Sequence, residues 1–458
     1  MKDFLFAFQK DAPKYKQIYT QVRTLIQTGR VTEHEPLPSI RTLAASLHVS
    51  RNTVLTAYEQ LVAEGYIRSE NKKGYFVNSY EPMGKEIKSD EKDIRISRTV
   101  SPHIDFRAGA VDASSFPLTT WRRYANQVLR SPQIYNYGER QGEPQLRAQL
   151  AKYLLQARGM KVSAEQIVIG SGTQHLLIQL SHLLKEQFDS IYLEEPGYNG
   201  ARAVFTLQGF TVHTLPVTLQ GFQLTKLKKK ARLAYVTPSH HFPYGVSMPI
   251  QERVGLLKWA GEDGYIIEDD YDGEFRYTQK PFPALASLNE ERVIYLGTFS
   301  KSLLPSLRIS YMVLPRHLIE AYQQKFLLFE QAASTVHQLT LSLFMEEGEW
   351  DKHIRRMRQV YKRKMTCLIT QLRQQFGDRL TIIGEQSGLY IVIRLDTTST
   401  ETQLIEAAKI AGVNVYPTSP YFYTPPDTAQ LQLGFSNVSF EEIEEGVEIL
   451  REVWRQMV

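Results

Sequence analysis

The chain has 458 residues, of which 42% are hydrophobic and 22% charged. Its length is that of two to four domains, and its composition is that of a globular protein. One cysteine, Cys367, excludes an internal disulfide framework, and no charge-free apolar run is long enough to span a bilayer; we therefore expect a cytoplasmic protein without a membrane partner. Residues 1–78 carry 11 Lys and Arg against 7 Asp and Glu, which is +4 of the net charge of +5, and this favours an anionic partner for that region.

The N-terminal region, residues 1–78, has the apolar spacing of three helices. They are predicted over 14–28, 40–47 and 51–64, with Ser39 and Ser50 as N-caps of the second and third. The residues expected on the buried face of the third helix are Val54, Ala57, Tyr58, Leu61 and Val62. Two short strands around the basic turn 71–73 follow. Three helices and a hairpin form a winged helix-turn-helix domain.

The third predicted helix carries polar side chains that can read base edges or hold phosphates in a major groove. The candidate residues are Ser50, Arg51, Asn52, Thr53 and Thr56. A second set would contact backbone phosphates of double-stranded DNA and make its binding salt-dependent: Arg41, Arg68, Lys72 and Lys73. A small helical domain used for protein contact is the alternative interpretation.

The same region resembles the GntR-type winged-helix DNA-binding domain. The resemblance rests on Leu37-Pro38-Ser39-Ile40-Arg41-Thr42-Leu43-Ala44, Val49-Ser50-Arg51-Asn52-Thr53-Val54, Ala57-Tyr58-Glu59-Gln60-Leu61, Glu64-Gly65-Tyr66-Ile67-Arg68 and Gly74-Tyr75-Phe76-Val77. It implies that this domain binds promoter DNA. Residues 79–102 then carry charges of both signs with little apolar periodicity, and we expect a flexible linker with a reach of about 25–30 Å. Such a reach would allow the DNA-binding domain to pack on another protomer.

Residues 103–458 alternate apolar strand-like runs with helical segments, which predicts an α/β domain with a mostly parallel sheet. The strands are expected at 167–169, 191–193, 233–236, 265–268, 293–296 and 309–313. Long helices are expected around 315–329 and 348–376. Strands at 389–394 and 431–435 with a closing helix at 440–457 predict a smaller α+β lobe at the C-terminus.

Three of the predicted strands end in residues suited to hold a phosphorylated ring. Gly172 and Thr173 open a helix, where backbone N–H groups and a hydroxyl bind phosphate. Tyr198 could stack on a pyridine ring. The acidic cluster 268–272 could supply a buried carboxylate that keeps a pyridine nitrogen protonated. Each feature has an alternative interpretation when taken singly. Gly172 and Thr173 could form an ordinary capped turn, Tyr198 could be a packing residue, and the acidic cluster could be a solvated loop or a metal site, although no cysteine or histidine pair supports a metal.

The stretch 297–308 places one lysine among hydroxyls after a fourth strand. Lys301 can form a Schiff base with an aldehyde, and Thr298, Ser300 and Arg308 can hold a phosphate. An aldehyde and a phosphate on one ligand indicate pyridoxal 5′-phosphate (PLP). A solvated loop lysine is the alternative for this motif alone. Because all four motifs follow strands, at the edge where α/β sheets bind ligands, we interpret them together as a PLP site.

This region resembles the fold-type I PLP-dependent aminotransferases. The matching residues are Tyr137-Gly138, Gly142, Leu146-Arg147, Ser171-Gly172-Thr173, Pro196-Gly197-Tyr198, Asp269, Tyr271, Thr298, Ser300-Lys301 and Arg308. With the winged helix, the whole chain is similar to the MocR/GabR-type transcription regulators. The resemblance implies a Schiff base at Lys301, Asp269 on the pyridine nitrogen with Asp270 as the alternative, Tyr271 on the phenolic oxygen, and Tyr198 stacked on the ring. It implies phosphate contacts from Gly172, Thr173, Thr298, Ser300 and Arg308, and a homodimer in which Tyr137 reaches the partner's phosphate.

Two departures from the aminotransferase pattern bear on function. Phe242 stands where aminotransferases have an asparagine that contacts the cofactor, and it follows His240-His241, either of which could be a packed loop residue. Gln432 stands where they have an arginine that binds the substrate α-carboxylate as a bidentate fork. The neutral Gln432 weakens the case for an ordinary amino-acid ligand and favours PLP itself as the signal, as in the vitamin B6-sensing members of the family.

The sequence therefore predicts a PLP-binding transcription regulator, nucleoid-associated when bound to DNA, whose effector is PLP, an amine or an amino acid. Ligand and DNA binding would be coupled through two arrangements of the protein. The alternative is an aminotransferase with a vestigial N-terminal domain. We expect a regulator and not a physiological enzyme, with a transamination half-reaction left open.

Overall fold

A computed structural model describes residues 4, 7–9, 12–79, 103–228, 231–277, 283–455 and 457. The chain divides into two compact units, residues 1–99 and 100–458. Apart from residue 79, the predicted linker at 79–102 lies outside the described residues. Within the described ranges, none of the helices combines the length and apolarity that crossing a bilayer demands.

The first unit contains the three predicted helices and the hairpin. Its elements are α1 (Lys14–Gln27), α2 (Ile40–Ser46), α3 (Arg51–Ala63), β1 (Ile67–Glu70) and β2 (Gly74–Val77). Both predicted caps are present, since the Ser39 and Ser50 hydroxyls accept hydrogen bonds from backbone N–H groups three residues on, at 3.1 and 3.2 Å. The prediction for Val62 was wrong: it is 37% exposed, because it follows the buried Leu61 and is rotated by about 100° from the apolar stripe.

The second unit is built on an eight-stranded sheet and a separate four-stranded sheet. Its strands are β3 (Ile104–Asp105), β4 (Ile167–Gly170), β5 (Ser190–Glu195), β6 (Thr211–Thr218), β7 (Gly221–Phe222), β8 (Leu233–Val236), β9 (Tyr265–Asp270), β10 (Val293–Thr298), β11 (Ser310–Val313), β12 (Leu380–Ile383), β13 (Tyr390–Leu395), β14 (Val413–Asn414), β15 (Tyr416–Pro417) and β16 (Gln430–Gly434). The large sheet has the order β4-β11-β10-β9-β8-β5-β6-β7, in which only β11 and β7 are antiparallel to the rest. The predicted mostly parallel sheet is therefore confirmed.

The helices of the second unit cover both faces of the large sheet and pack against the C-terminal lobe. They are α4 (Leu118–Val128), α5 (Pro144–Arg158), α6 (Thr173–Leu184), α7 (Asn199–Leu207), α8 (Ile250–Ala260), α9 (Arg316–Lys325), α10 (Thr335–Glu346), α11 (Glu349–Phe376), α12 (Glu401–Ile410) and α13 (Phe440–Trp454). The prediction of a helix to residue 329 was wrong. α9 ends at Lys325, because Tyr322 and Phe326 are its last buried apolar side chains and residues 327–329 are exposed.

One apolar core packs α6 and α7 against one face of the large sheet, and a larger one covers the other face and continues into the C-terminal lobe. The lobe contains the sheet β12-β13-β16-β15, and β3 pairs with β14, which ties the start of the unit to its end. The strands β4, β5 and β8 to β11 are buried on both faces and are therefore rich in apolar residues, whereas β6 is partly exposed. Polar side chains gather where β5, β8, β9 and β10 end, at one edge of the sheet.

Candidate functional site

A cavity of about 340 Å³ lies at this carboxyl edge of the sheet. It brings together eight of the predicted cofactor residues: Thr173, Tyr198, Asp269, Tyr271, Thr298, Ser300, Lys301 and Arg308. Gly172 lies beside it, since a methyl group added there would meet the Arg308 guanidinium at 2.4 Å. Tyr137 is 89% exposed and does not line the cavity of its own chain. A second, larger cavity, of about 1020 Å³, is lined by none of the predicted residues.

Lys301 follows β10, and its amine is held close to the backbone of another segment. Its Nζ donates a hydrogen bond to the Gly109 carbonyl oxygen at 3.3 Å. Gly109 has a φ of +84°, and a methyl group added there would lie 1.8 Å from Nζ. Burial lowers the pKa of Lys301, while the carboxylates of Asp272 and Asp269 oppose the shift. A lowered pKa increases the fraction of neutral amine, which is the form that attacks an aldehyde.

The adjacent carboxylates of β9 face opposite sides of the strand, as the two-residue period requires. Asp269 lines the cavity; its Oδ2 accepts a hydrogen bond from Tyr235 at 2.6 Å, and its buried Oδ1 has no partner among the described residues. Asp270 instead accepts from the Tyr295 hydroxyl at 2.7 Å and contacts Arg158 Nε at 2.5 Å. Burial raises the pKa of Asp269 to about 7. Of this pair, Asp269 is therefore the carboxyl available to a ligand.

The opposite end of the cavity has the chemistry of an anion cradle. The Thr298 hydroxyl accepts hydrogen bonds from Ser310 Oγ at 2.7 Å and the Ser300 N–H at 3.2 Å, so its own proton points elsewhere. α6 starts at Thr173, and its first backbone N–H groups lack helical acceptors. The Arg308 guanidinium lies beside this helix start. Hydroxyls, a helix N-terminus and a guanidinium together suit a phosphate group.

The two histidines that the sequence left undistinguished have different environments. His240 Nδ1 lies 2.9 Å from Asp272 Oδ2 and 3.0 Å from the Tyr271 hydroxyl, so it belongs to a network at the cavity wall. His241 Nε2 donates to the Pro196 carbonyl at 3.0 Å, and burial lowers the pKa of His241 to about 3, which keeps it neutral. His241 is a packed loop residue, and His240 positions Tyr271.

Aromatic rings form the wall that faces the C-terminal lobe. The Phe242 ring lies 4.5 Å from the Tyr421 ring and 5.8 Å from that of Tyr390, and edge-on to Tyr198 at 6.3 Å. Burial raises the pKa of Tyr198 to about 12. Gln432 from β16 lies at this wall and is 1% exposed. The wall thus has a phenyl ring where the aminotransferase pattern would place an amide, and a neutral amide where it would place a guanidinium.

Sequence reasoning missed several residues that the fold brings to the cavity. Tyr235 bonds Asp269, Tyr390 bonds the Tyr271 hydroxyl at 3.0 Å, and Gly109 contacts Lys301. Tyr235 carries a usable signal, since it lies next to the last residue of a predicted strand. Gly109 carries none, because it is 192 positions from Lys301 and no element was predicted around it.

In the first unit, α3 presents the predicted DNA-reading residues at an exposed helix start. Arg51 and Asn52 are exposed, as are Arg41 on α2 and Lys72 in the turn of the hairpin. Some hydroxyls have local partners. Ser50 Oγ lies 2.8 Å from Thr53 Oγ1, and the Thr56 hydroxyl donates to the Asn52 carbonyl oxygen at 3.0 Å.

Two of the basic residues predicted to contact phosphates have partners within the hairpin. Arg68 bonds Glu70 at 3.2 Å and the Val77 carbonyl at 3.1 Å, and Lys73 pairs with Glu70 at 3.4 Å. The structure therefore gives Arg68 a role in bracing the two strands of the wing. Of the predicted DNA contacts, the basic side chains Arg41, Arg51 and Lys72 are exposed at the start of α2, at the start of α3 and at the turn.

Comparison with known proteins follows the same division of the chain. The sequence profile described as "Bacterial regulatory proteins, gntR family" matches residues 14–77, and that described as "Aminotransferase class I and II" matches residues 102–450. The HTH-type transcriptional regulator YdeL of Bacillus subtilis is 41% identical, covering 97% of each chain. The probable rhizopine catabolism regulatory protein MocR of Rhizobium meliloti is 34% identical, covering 96% of this chain and 94% of its own.

A solved structure of an archaeal alanine:glyoxylate aminotransferase superposes with a TM-score of 0.70 at 26% identity, covering 77% of this chain and 91% of that one. The predicted fold class, a winged helix joined to a fold-type I aminotransferase-like domain, is confirmed by these matches.

Proposed function

We propose a sensing function for this chain, which belongs to the MocR-type transcription regulators, proteins with a gntR-family DNA-binding domain and an aminotransferase class I and II domain. It is a DNA-binding regulator whose aminotransferase-like domain binds PLP. The proposal is that filling the cavity changes the affinity of the winged helix for promoter DNA. The observation that carries it is that Lys301 and Asp269 line one cavity, where Asp269 Oδ1 has no hydrogen-bond partner among the residues that the structure describes.

The cavity residues fit PLP because each polar group of the cofactor has a suitable counterpart. Bound PLP supplies an aldehyde carbon that reacts with primary amines. Lys301 would hold that carbon, and Asp269 Oδ1 would accept a hydrogen bond from a protonated pyridine nitrogen. Tyr271 would contact the phenolic oxygen, with Tyr198 against the ring. The phosphate would be held by Gly172, Thr173, Thr298, Ser300 and Arg308.

The remaining features of the proposal concern assembly and signal. The exposed Tyr137 supports a homodimer in which it reaches the partner's cofactor phosphate. The effector is PLP itself or an amine or amino acid, and the protein acts in the cytoplasm at the nucleoid. Effector binding and DNA binding would be linked reciprocally. If the effector changes the affinity for DNA by a certain factor, DNA changes the affinity for the effector by the same factor.

Band-shift titration on the chain's own upstream region tests the proposal, with cofactor-free protein and then with added PLP. A change in affinity or footprint with PLP alone identifies PLP as the signal. If PLP changes the absorbance spectrum but not DNA binding, a second ligand is the signal, and amines are screened next. Lys301→Ala, which removes the reacting amine, is expected to abolish the PLP spectrum. Failure of the wild-type protein to bind PLP, or its failure to bind DNA, would refute the proposal.

A second candidate function is amino-group transfer, favoured by the buried Lys301 amine with its lowered pKa and by the likeness to solved aminotransferases. Phe242 and Gln432 oppose it, because Phe242 lacks the amide and Gln432 lacks the positive charge that the aminotransferase pattern has at these positions. Incubation with an amino donor and a keto acid distinguishes the two. Sustained turnover over many cycles would establish an enzyme, whereas a single stoichiometric conversion would leave the regulator.

A further inference from the structure

Gln432 carries a hydrogen-bond donor that no described residue of the protein accepts from. Its Oε1 accepts from the Tyr421 hydroxyl at 3.3 Å, while its Nε2 has no partner in the part of the chain that the structure describes. The side chain is 1% exposed and lines the cavity. Leaving a buried N–H without an acceptor is unfavourable, so this position is built to meet an acceptor on a ligand. The bond to Tyr421 orients the amide, since it commits the oxygen and turns the nitrogen away from it.

The charges around the cavity restrict what that acceptor can be. Among the described lining residues the cations are Lys301 and Arg308, and the cofactor would engage both. The anions are Asp269 and Asp272. A ligand carboxylate at the Gln432 wall would lose its hydration without gaining a cationic partner among these residues. Burying an unpaired charge costs far more than burying a neutral oxygen that is hydrogen-bonded.

We infer that the effector is a primary amine that carries a neutral oxygen acceptor, such as a carbonyl, hydroxyl or ether, and no carboxylate. Gln432 Nε2 binds that oxygen, and the Phe242 and Tyr421 rings cover the adjoining carbon atoms. This inference rests on the proposed function, because it assumes a PLP-filled cavity that takes a second ligand. It adds to that function the chemical class of the ligand and the residue that selects it.

Three small amines that differ in one group test the inference: L-alaninamide, isopropylamine and L-alanine. They carry a carboxamide, a methyl and a carboxylate on the same carbon, and they are small enough for the space that PLP leaves in about 340 Å³. Dissociation constants would be measured by calorimetry on the PLP-saturated, full-length wild-type protein. Alaninamide is expected to bind about 5- to 10-fold tighter than isopropylamine, as one neutral hydrogen bond provides, and on the order of 100-fold tighter than alanine.

Two variants separate the role of Gln432 from general packing. Gln432→Leu replaces the amide by an apolar side chain of similar size and is expected to erase the difference in affinity between alaninamide and isopropylamine. Gln432→Arg supplies a cation and is expected to reverse the order in favour of alanine. The inference is overturned if the wild-type protein binds alanine as tightly as alaninamide, if none of the three binds, or if Gln432→Leu retains the preference. Any of these results with PLP and DNA binding intact refutes only this inference, whereas loss of PLP or DNA binding by the wild type refutes the proposed function.

Discussion

Replacing Gly109 by alanine tests whether the backbone of a distant segment shapes the Lys301 site. At φ +84° an alanine costs about 1–2 kcal/mol of folding free energy relative to glycine. The new methyl group would also lie 1.8 Å from Lys301 Nζ and 2.9 Å from its Cε. These atoms form the far end of a flexible side chain, so they can rotate away at little cost to stability. The displaced amine then leaves the position next to Asp269 and Asp272. We therefore expect Gly109→Ala to lose most PLP binding while losing only about 1–2 kcal/mol of stability.

Gly412→Ala is the matched control. Gly412 has a φ of +87°, and its nearest atom to an added methyl group is His103 Cβ at an ordinary 3.8 Å. Both variants should lose similar unfolding free energy in urea titrations, but only Gly109→Ala should lose the absorbance of bound PLP. The reasoning is refuted if Gly109→Ala binds PLP with wild-type affinity and spectrum, or if Gly412→Ala weakens PLP binding equally.

The further predictions concern buried carboxylates and the DNA-binding unit. Asp269→Asn should weaken PLP binding about 10- to 100-fold in spectroscopic titrations, because the charged acceptor is lost. Asp270→Asn should instead leave a buried arginine without its closest carboxylate and lower the unfolding free energy by about 3 kcal/mol. Arg51→Ala should weaken binding in band shifts and reduce the slope of log affinity against log salt concentration by about 1, whereas Arg68→Ala should mainly lower the melting temperature of the first unit. Burial raises the pKa of Glu194 to about 8, so the folded state keeps a proton that the unfolded chain releases near pH 4.5. The free energy of unfolding should therefore fall as the pH rises from about 4.5 to 8. In urea titrations, Glu194→Gln should flatten that fall.

Each of these predictions has an outcome that contradicts it. Equal loss of PLP affinity in Asp269→Asn and Asp270→Asn would remove the distinction between the two faces of β9. An unchanged salt slope in Arg51→Ala would mean that this guanidinium does not contact phosphate. A wild-type protein whose stability rises between pH 4.5 and 8, with Glu194→Gln following the same curve, would contradict the raised pKa.

The sequence by itself predicted most of the elements and eight of the residues that line the cavity, because these predictions depend on local patterns. Apolar runs of three to five residues located six of the eight strands of the large sheet, all except β6 and β7. Capping serines located the starts of α2 and α3. Lys301, Thr298 and Arg308 were predicted as site residues because an amine, a hydroxyl and a guanidinium occur together within a dozen residues at the end of one strand. Since parallel strands bring their carboxyl ends to one edge, motifs far apart in the chain could be assigned to one site from the strand pattern alone.

Tertiary structure decided what depends on direction and on distant contacts. Asp269 and Asp270 are adjacent residues of the same type. Only the packing of β9 shows that Asp269 faces the cavity and Asp270 faces Arg158. Adjacent residues point to opposite sides of a strand, so a shift of one position would exchange their roles. The same limit applies to His240 and His241. Gly109 meets Lys301 across 192 positions, and no local pattern encodes such a contact, because it exists only once two separately formed elements have packed together.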